Sequence, residues 1–135
     1  MTPDDITAFL DASPARHVGV VATVRGDGAP HLVLVWYWYD GAAVHIWTGE
    51  DRAWVRQLRR DPRVAFSVQE QSAPFAAVII RGTADVLPAD AAIVRRITER
   101  YIPAADVDAY METWSVLQTI VKITPRDIRA WGRGY

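Results

Sequence analysis

Residues 47–68 read Trp47-Thr48-Gly49-Glu50-Asp51-Arg52-Ala53-Trp54-Val55-Arg56-Gln57-Leu58-Arg59-Arg60-Asp61-Pro62-Arg63-Val64-Ala65-Phe66-Ser67-Val68. The stretch predicts a strand end, a tight turn at Thr48-Gly49, a short basic helix and a second, buried strand. Asp51 is the expected N-cap, because a carboxylate there accepts from the unpaired amides of the first turn. Asp61-Pro62 ends the helix, since the residue before a proline is driven out of the α region. Arg52 and Arg56 stand four residues apart, on one helical face, at the end where backbone N–H groups lack partners. Two guanidiniums beside such donors suit an anion, most commonly phosphate. Arginines on an amphipathic helix are more often a solvated face, and Glu50 and Asp51 put negative charge where an anion would sit.

Working outward, the neighbouring sequence is rich in strands. Towards the N-terminus, Ala43 to Trp47 turns back through Asp40-Gly41 into Pro30 to Tyr39, the longest strand. That strand alternates Leu32, Leu34, Trp36 and Trp38 with Val33, Val35, Tyr37 and Tyr39, so both faces are apolar. Such a strand is buried twice, between layers or against a partner or ligand. His17 to Val24 forms a further strand, joined by a hairpin at Arg25-Gly26-Asp27-Gly28. The chain starts with a helix capped by Thr2, with Pro3 and Asp4-Asp5 in its first turn and Ser13-Pro14 as its stop.

Towards the C-terminus, Gln69 to Pro74 is a polar loop, and Phe75 to Val86 is a strand in which Gly82 marks a bulge or bend. Pro88 and Asp90 open a helix with Ile93, Ile97 and Tyr101 on one face, and Pro103 breaks it. A weaker helix spans Asp106 to Thr113, the last strand Val116 to Ile123, and a short piece ends at Trp131. Strands joined by hairpins, with helices inserted, predict a single α+β, mainly β domain over 1–135. Its expected core is a small closed or partly closed antiparallel barrel of about six strands.

Composition narrows the function. The chain has 135 residues, a formal net charge of −1 and no cysteine. No basic excess points to nucleic acid, and disulfides, thiolate catalysis and cysteine-bound metals are excluded. The apolar runs fall short of the roughly 20 residues a membrane helix needs, and the N-terminus lacks a basic signal region, so a cytoplasmic protein without a membrane partner is expected. His17, His31 and His45 fall in strands without metal-ligand spacing, and no serine has a nucleophile-elbow context. An enzyme of this composition would take its chemistry from a cofactor.

The hairpin Val20-Val21-Ala22-Thr23-Val24 through Gly26-Asp27-Gly28 to Pro30-His31 carries a family likeness. So do Val35-Trp36, Trp47-Thr48-Gly49, Val55 to Val64, Val78 to Ala84 with Arg81-Gly82, and Ile123-Thr124-Pro125 to Ala130-Trp131. In order and spacing these pieces resemble the flavin and deazaflavin oxidoreductases of the pyridoxamine-phosphate-oxidase-like split-barrel superfamily. The likeness is closest to the PPOX-class F-420-dependent enzymes and covers nearly the whole chain.

That resemblance implies an FMN-binding split β-barrel and a homodimer with cofactor sites between the subunits. It implies hydride transfer from coenzyme F-420, or from FMN, to a small organic acceptor. Phosphate would lie near Thr48, Gly49, Arg52 and Arg56, and the ring against Val35, Trp36 and Trp47. Trp54, Gln57 and Trp131 complete the cofactor-binding set implied by the likeness. The chain departs from the pattern where many relatives carry Ser-Arg-Lys, which here is Arg52-Ala53-Trp54. Losing one charge-assisted phosphate contact costs about 1.5–3 kcal/mol. Trp54 is then a dimer-seam residue, or a stacking surface for another planar ligand such as haem. A non-catalytic carrier of a planar ligand and a dimer with no ligand stand as the alternative readings.

Overall fold

Thr2 and Asp5 close a capping box at the start of helix α1 (Pro3–Leu10). The Thr2 hydroxyl accepts from the Asp5 amide at 3.1 Å, and the Asp5 carboxylate accepts from the Thr2 amide at 2.9 Å. The computed structural model describes residues 1–12, 15, 17–114 and 119–132. The expected helix stop at Ser13-Pro14 therefore lies outside the described residues, as do Val116, Leu117 and Gln118 of the expected last strand. After α1 come strands β1 (Gly19–Val24), β2 (Pro30–Val35), β3 (Trp38–Tyr39) and β4 (Val44–Thr48). Helix α2 (Ala53–Arg60), strands β5 (Arg63–Gln69) and β6 (Ala76–Pro88), and helix α3 (Ala91–Tyr101) follow. A single turn of 3-10 helix at Ala104–Asp106 leads into α4 (Val107–Thr113), and β7 (Thr119–Gly132) ends the described chain.

The described strands form one antiparallel sheet in the order β2-β1-β5-β6-β7-β4-β3. Strands β2 and β3 sit at opposite edges, yet only Trp36 and Tyr37 separate them in the chain. A span of three residues reaches at most about 11 Å, so the sheet must curl until its edges come together there. The result is a split barrel, mainly β, with helices inserted between strands. The expected strand Pro30 to Tyr39 is thus two strands with different partners, β1 for one and β4 for the other. This break turns about six expected strands into seven.

At the break the backbone leaves the ladder, and helix α3 supplies its partners. The Tyr37 amide donates to the Tyr101 hydroxyl at 3.4 Å, and Arg100 Nε donates to the Tyr37 carbonyl at 2.7 Å. Arg100, only 5 % exposed, also donates to the carbonyls of Leu10 at 3.0 Å and Ala12 at 3.2 Å. Its ion pair with Asp11, at 3.0 Å, completes the set. The Tyr37 hydroxyl donates to the Leu10 carbonyl at 2.7 Å, and burial pushes its pKa up against the opposing pull of Arg100. One buried guanidinium thus ties α1, the barrel seam and α3 together.

Inside the barrel, alternate residues of the strands meet: Val21, Ile46, Phe66, Val78, Ile80 and Ile123 are buried. Helix α2 closes over this core with Trp54, Val55 and Leu58. On the outward face of the edge strand, Leu32 and Leu34 remain exposed, while Val35, Tyr37 and Tyr39 point in. The β6–β7 register shifts between Arg81 and Gly82, so the bulge expected at Gly82 lies opposite it, on β7. Strand β7 runs on to Gly132, past the expected end at Ile123, because Pro125 falls at that bulge. There Arg126 is the extra residue, and a proline without an N–H is tolerated.

Candidate functional site

Strand β4 delivers Trp47 and Thr48 to the start of α2, and the end of β2 brings Val35, with Trp36 just beyond it, alongside. Between them opens a cleft of about 460 Å³, whose far wall comes from Tyr110 and Trp114 of the α4 region. Seven of the expected site residues line it: Val35, Trp36, Trp47, Thr48, Gly49, Arg52 and Trp54. Its two ends differ chemically.

At one end, helix α2 begins without a cap. Arg52, not the expected Asp51, takes the N-cap position, and no side chain accepts from the first turn. The extended backbone of Arg52 (φ −65°, ψ 141°) lets the helix start one residue late, so Asp51 stays in the turn. The unpaired amides, the Thr48 hydroxyl and the Arg52 guanidinium therefore border one space. Among the described residues no aspartate or glutamate lines it. An anion is the matching ligand.

The other end is aromatic. Trp36 stacks on Tyr101 at 4.8 Å and 10°, and on Tyr110 at 5.7 Å and 29°. Tyr110 meets Trp47 edge-on at 6.5 Å and Trp114 at 6.2 Å. Offset and edge-to-face arrangements such as these hold rings rigidly and present a flat wall. Burial raises the phenol pKa of Tyr110, and of Tyr101 against the opposing effect of Arg100. Both phenols stay neutral near pH 7, so neither is a base there.

Three expected site residues lie elsewhere. The Arg56 guanidinium turns back and donates to the Asp51 carbonyl, so it braces the turn. Gln57 accepts from the Thr23 hydroxyl at 2.6 Å, which fastens α2 to β1. Trp131, on β7 opposite Ala77, is 43 % exposed on the outward face of the sheet. Trp54 borders the cleft but is 5 % exposed and packed in the chain's own core. Its burial needs no second subunit, which removes the seam role expected for it.

His31, Tyr110 and Trp114 also line the cleft and were not singled out from the sequence. Tyr110 and Trp114 are four apart, a spacing that places both on one helical side. A shallower hollow of about 610 Å³ lies on the outward face over Ala22, Val24 and Ala65, with Arg81 and Arg126 at its rim. It contains none of the expected site residues. Among the described residues no three His, Asp or Glu side chains converge to hold a metal ion, and no helix is long and apolar enough to cross a membrane.

Solved structures share this architecture. A candidate pyridoxamine 5'-phosphate oxidase from Listeria innocua is 26% identical, with a TM-score of 0.72 over 96% of this chain and 98% of that one. A protein described as an F420 reductase is also 26% identical, with a TM-score of 0.71 over 90% of this chain and 94% of its own. A conserved hypothetical protein from Mycobacterium tuberculosis, 23% identical, superposes with a TM-score of 0.77 over 98% of this chain and 85% of that one. The family model for pyridoxamine 5'-phosphate oxidase matches residues 3–132. The barrel with its uncapped α2 cleft thus belongs to a member of the pyridoxamine 5'-phosphate oxidase family.

Proposed function

We propose that this chain is an oxidoreductase that holds coenzyme F-420, or alternatively FMN, in the α2 cleft and passes hydride to a small organic acceptor. The observation that carries the reading is the cleft's polarity, with an uncapped helix start, Thr48 and Arg52 at one end and a flat aromatic wall at the other. Both cofactors join a planar ring to a phosphate group, so the donor set fits either. The likeness to a protein described as an F420 reductase supports the deazaflavin.

On this reading Arg52, Thr48 and the amides at the start of α2 bind the phosphate. Val35, Trp36 and Trp47 orient the ring and exclude water from one of its faces. The bound cofactor supplies the hydride. The chain's own contribution is positioning, since an oriented donor and acceptor need no further side-chain acid or base for hydride to move. Trp54 does not block the cleft, because its indole is packed into the core beneath.

The site is completed by a second copy of the chain. Leu32 and Leu34, 67 % and 71 % exposed, share the outward sheet face with Trp131. On this reading that face seats the partner, and Trp131, which lies away from its own chain's cleft, meets a cofactor only in the assembled dimer.

Titration of the purified protein with F-420 and with FMN, followed by ligand fluorescence, tests the reading. Saturable binding on the order of micromolar is expected, weakened about tenfold in Arg52→Ala by loss of a charge-assisted contact. Binding of neither cofactor would overturn it. Tight binding with no reduction of any acceptor would leave a carrier of a planar ligand.

A further inference from the structure

Resting on that reading of the cleft, we infer that His31 is a second phosphate-binding group, which makes the site's affinity for a phosphate-bearing ligand fall as pH rises. His31 stands opposite Thr23 in the β1–β2 register, and directly opposed residues share a face of the sheet. Thr23 is 2 % exposed and bonded to Gln57 of α2, so this face is the one that α2 covers. His31 lines the same cleft as Thr48, Gly49 and Arg52.

The three histidines of the chain differ in their commitments. His17 Nε2 is held by Glu70 at 3.0 Å and His45 Nε2 by Asp40 at 2.8 Å. His31 makes no hydrogen bond or ion pair among the described residues, and it is half-buried and lines the cleft. Among the described residues, Arg52 and His31 are the two lining residues that can carry positive charge, and none of the lining residues carries negative charge.

The charged groups on the surrounding elements are mostly engaged. On α2, Arg56 is bonded to the Asp51 carbonyl and Arg60 to the Val24 carbonyl at 2.9 Å. In the β1–β2 hairpin, Arg25 pairs with Asp27 at 3.2 Å. Glu50 and Asp51 lie in the exposed turn before α2, outside the cleft lining. From the α3–α4 side the cleft receives Ile97, Trp114 and the neutral phenol of Tyr110.

Imidazole is the side chain whose charge changes within the near-neutral pH range, and an anion beside it favours the protonated form. Its contact with phosphate is therefore charge-assisted on the acidic side of that range and is lost as pH rises through it. The direct test compares each cofactor with its phosphate-free counterpart: FMN against riboflavin, and F-420 against its dephosphorylated chromophore. Dissociation constants are measured by fluorescence at about pH 6.5 and about pH 8, a window spanning the imidazole titration.

For the phosphate-bearing ligand, affinity should drop about three- to tenfold across that window, a loss in the range of one charge-assisted contact. The phosphate-free ligand should change little. His31→Gln should remove the difference, and His31→Arg should hold the high affinity at both pH values. Equal pH dependence for both members of a pair, or a dependence retained in His31→Gln, would overturn the role of His31 and leave the cleft reading intact. Absence of binding by all four ligands would overturn the cleft reading and this inference with it.

Discussion

Arg100 shows how much a single buried side chain carries here. Its guanidinium serves the carbonyls of Tyr37, Leu10 and Ala12 and the Asp11 carboxylate, and stacks over the Tyr37 ring at 4.8 Å. Arg100→Met keeps much of the side-chain length but leaves buried carbonyls unpaired, which should cost about 2–4 kcal/mol. Urea denaturation would show it as a lower midpoint, with Arg95→Met as the exposed control whose midpoint stays put. Equal midpoints for the two variants would mean that the barrel seam closes without Arg100. None of this was legible in the sequence, because the partners of Arg100, backbone carbonyls and the Asp11 carboxylate, lie 63 to 90 residues away. Arg52 was legible, since a cation at a helix start is a local pattern. The fate of Arg56 was not, because the same helical face lets its long side chain reach either the cleft or the Asp51 carbonyl.

Among the elements, the β6–β7 pair is the long spine of the sheet, and Gly82 fixes how it bends. A Cβ at this position would lie 2.0 Å from the Thr124 carbonyl oxygen, a backbone atom that cannot swing aside. Gly82→Ala should therefore force the bulge apart and cost about 2–4 kcal/mol. Gly26→Ala meets only the end of the Arg60 side chain at 3.4 Å and should be close to neutral. Thermal unfolding of the two variants separates these outcomes, and a Gly82→Ala midpoint matching Gly26→Ala would show that the bulge is not sterically fixed. A glycine inside an apolar strand signalled this bulge in the sequence. The break between β2 and β3 gave no such signal, because apolar alternation runs unbroken from Leu32 to Tyr39. What changes there is the strand's partner, from β1 to β4, and a change of partner leaves no mark on the pattern of one strand. The continuation of β7 through Pro125 was hidden for a related reason: the proline is harmless only because Gly82 opposes it.

At the scale of the molecule, the apolar outward face of β2 is the feature the single chain leaves unresolved. Two leucines that are 67 % and 71 % exposed on an edge strand are a hazard for a protein that stays alone. Val20 and Val24 of β1 and Ile79 of β6 extend the same face, since Val20 opposes Leu34 and Val24 opposes Pro30. On the proposed reading this surface is where a second copy sits, and it also carries Trp131. A double change Leu32→Lys and Val20→Lys places two charges on that outward face at residues that do not line the cleft, so the barrel should keep its fold. Sedimentation velocity should show the wild-type chain as a dimer and the double variant as a monomer. F-420 affinity should fall with the dimer, because the partner's side of the site is withdrawn. Arg52→Ala makes the opposite separation, with weaker ligand binding in an intact dimer. A wild-type chain that sediments as a monomer, or a monomeric double variant that binds the cofactor with unchanged affinity, would place the whole site within one chain and leave Trp131 outside it.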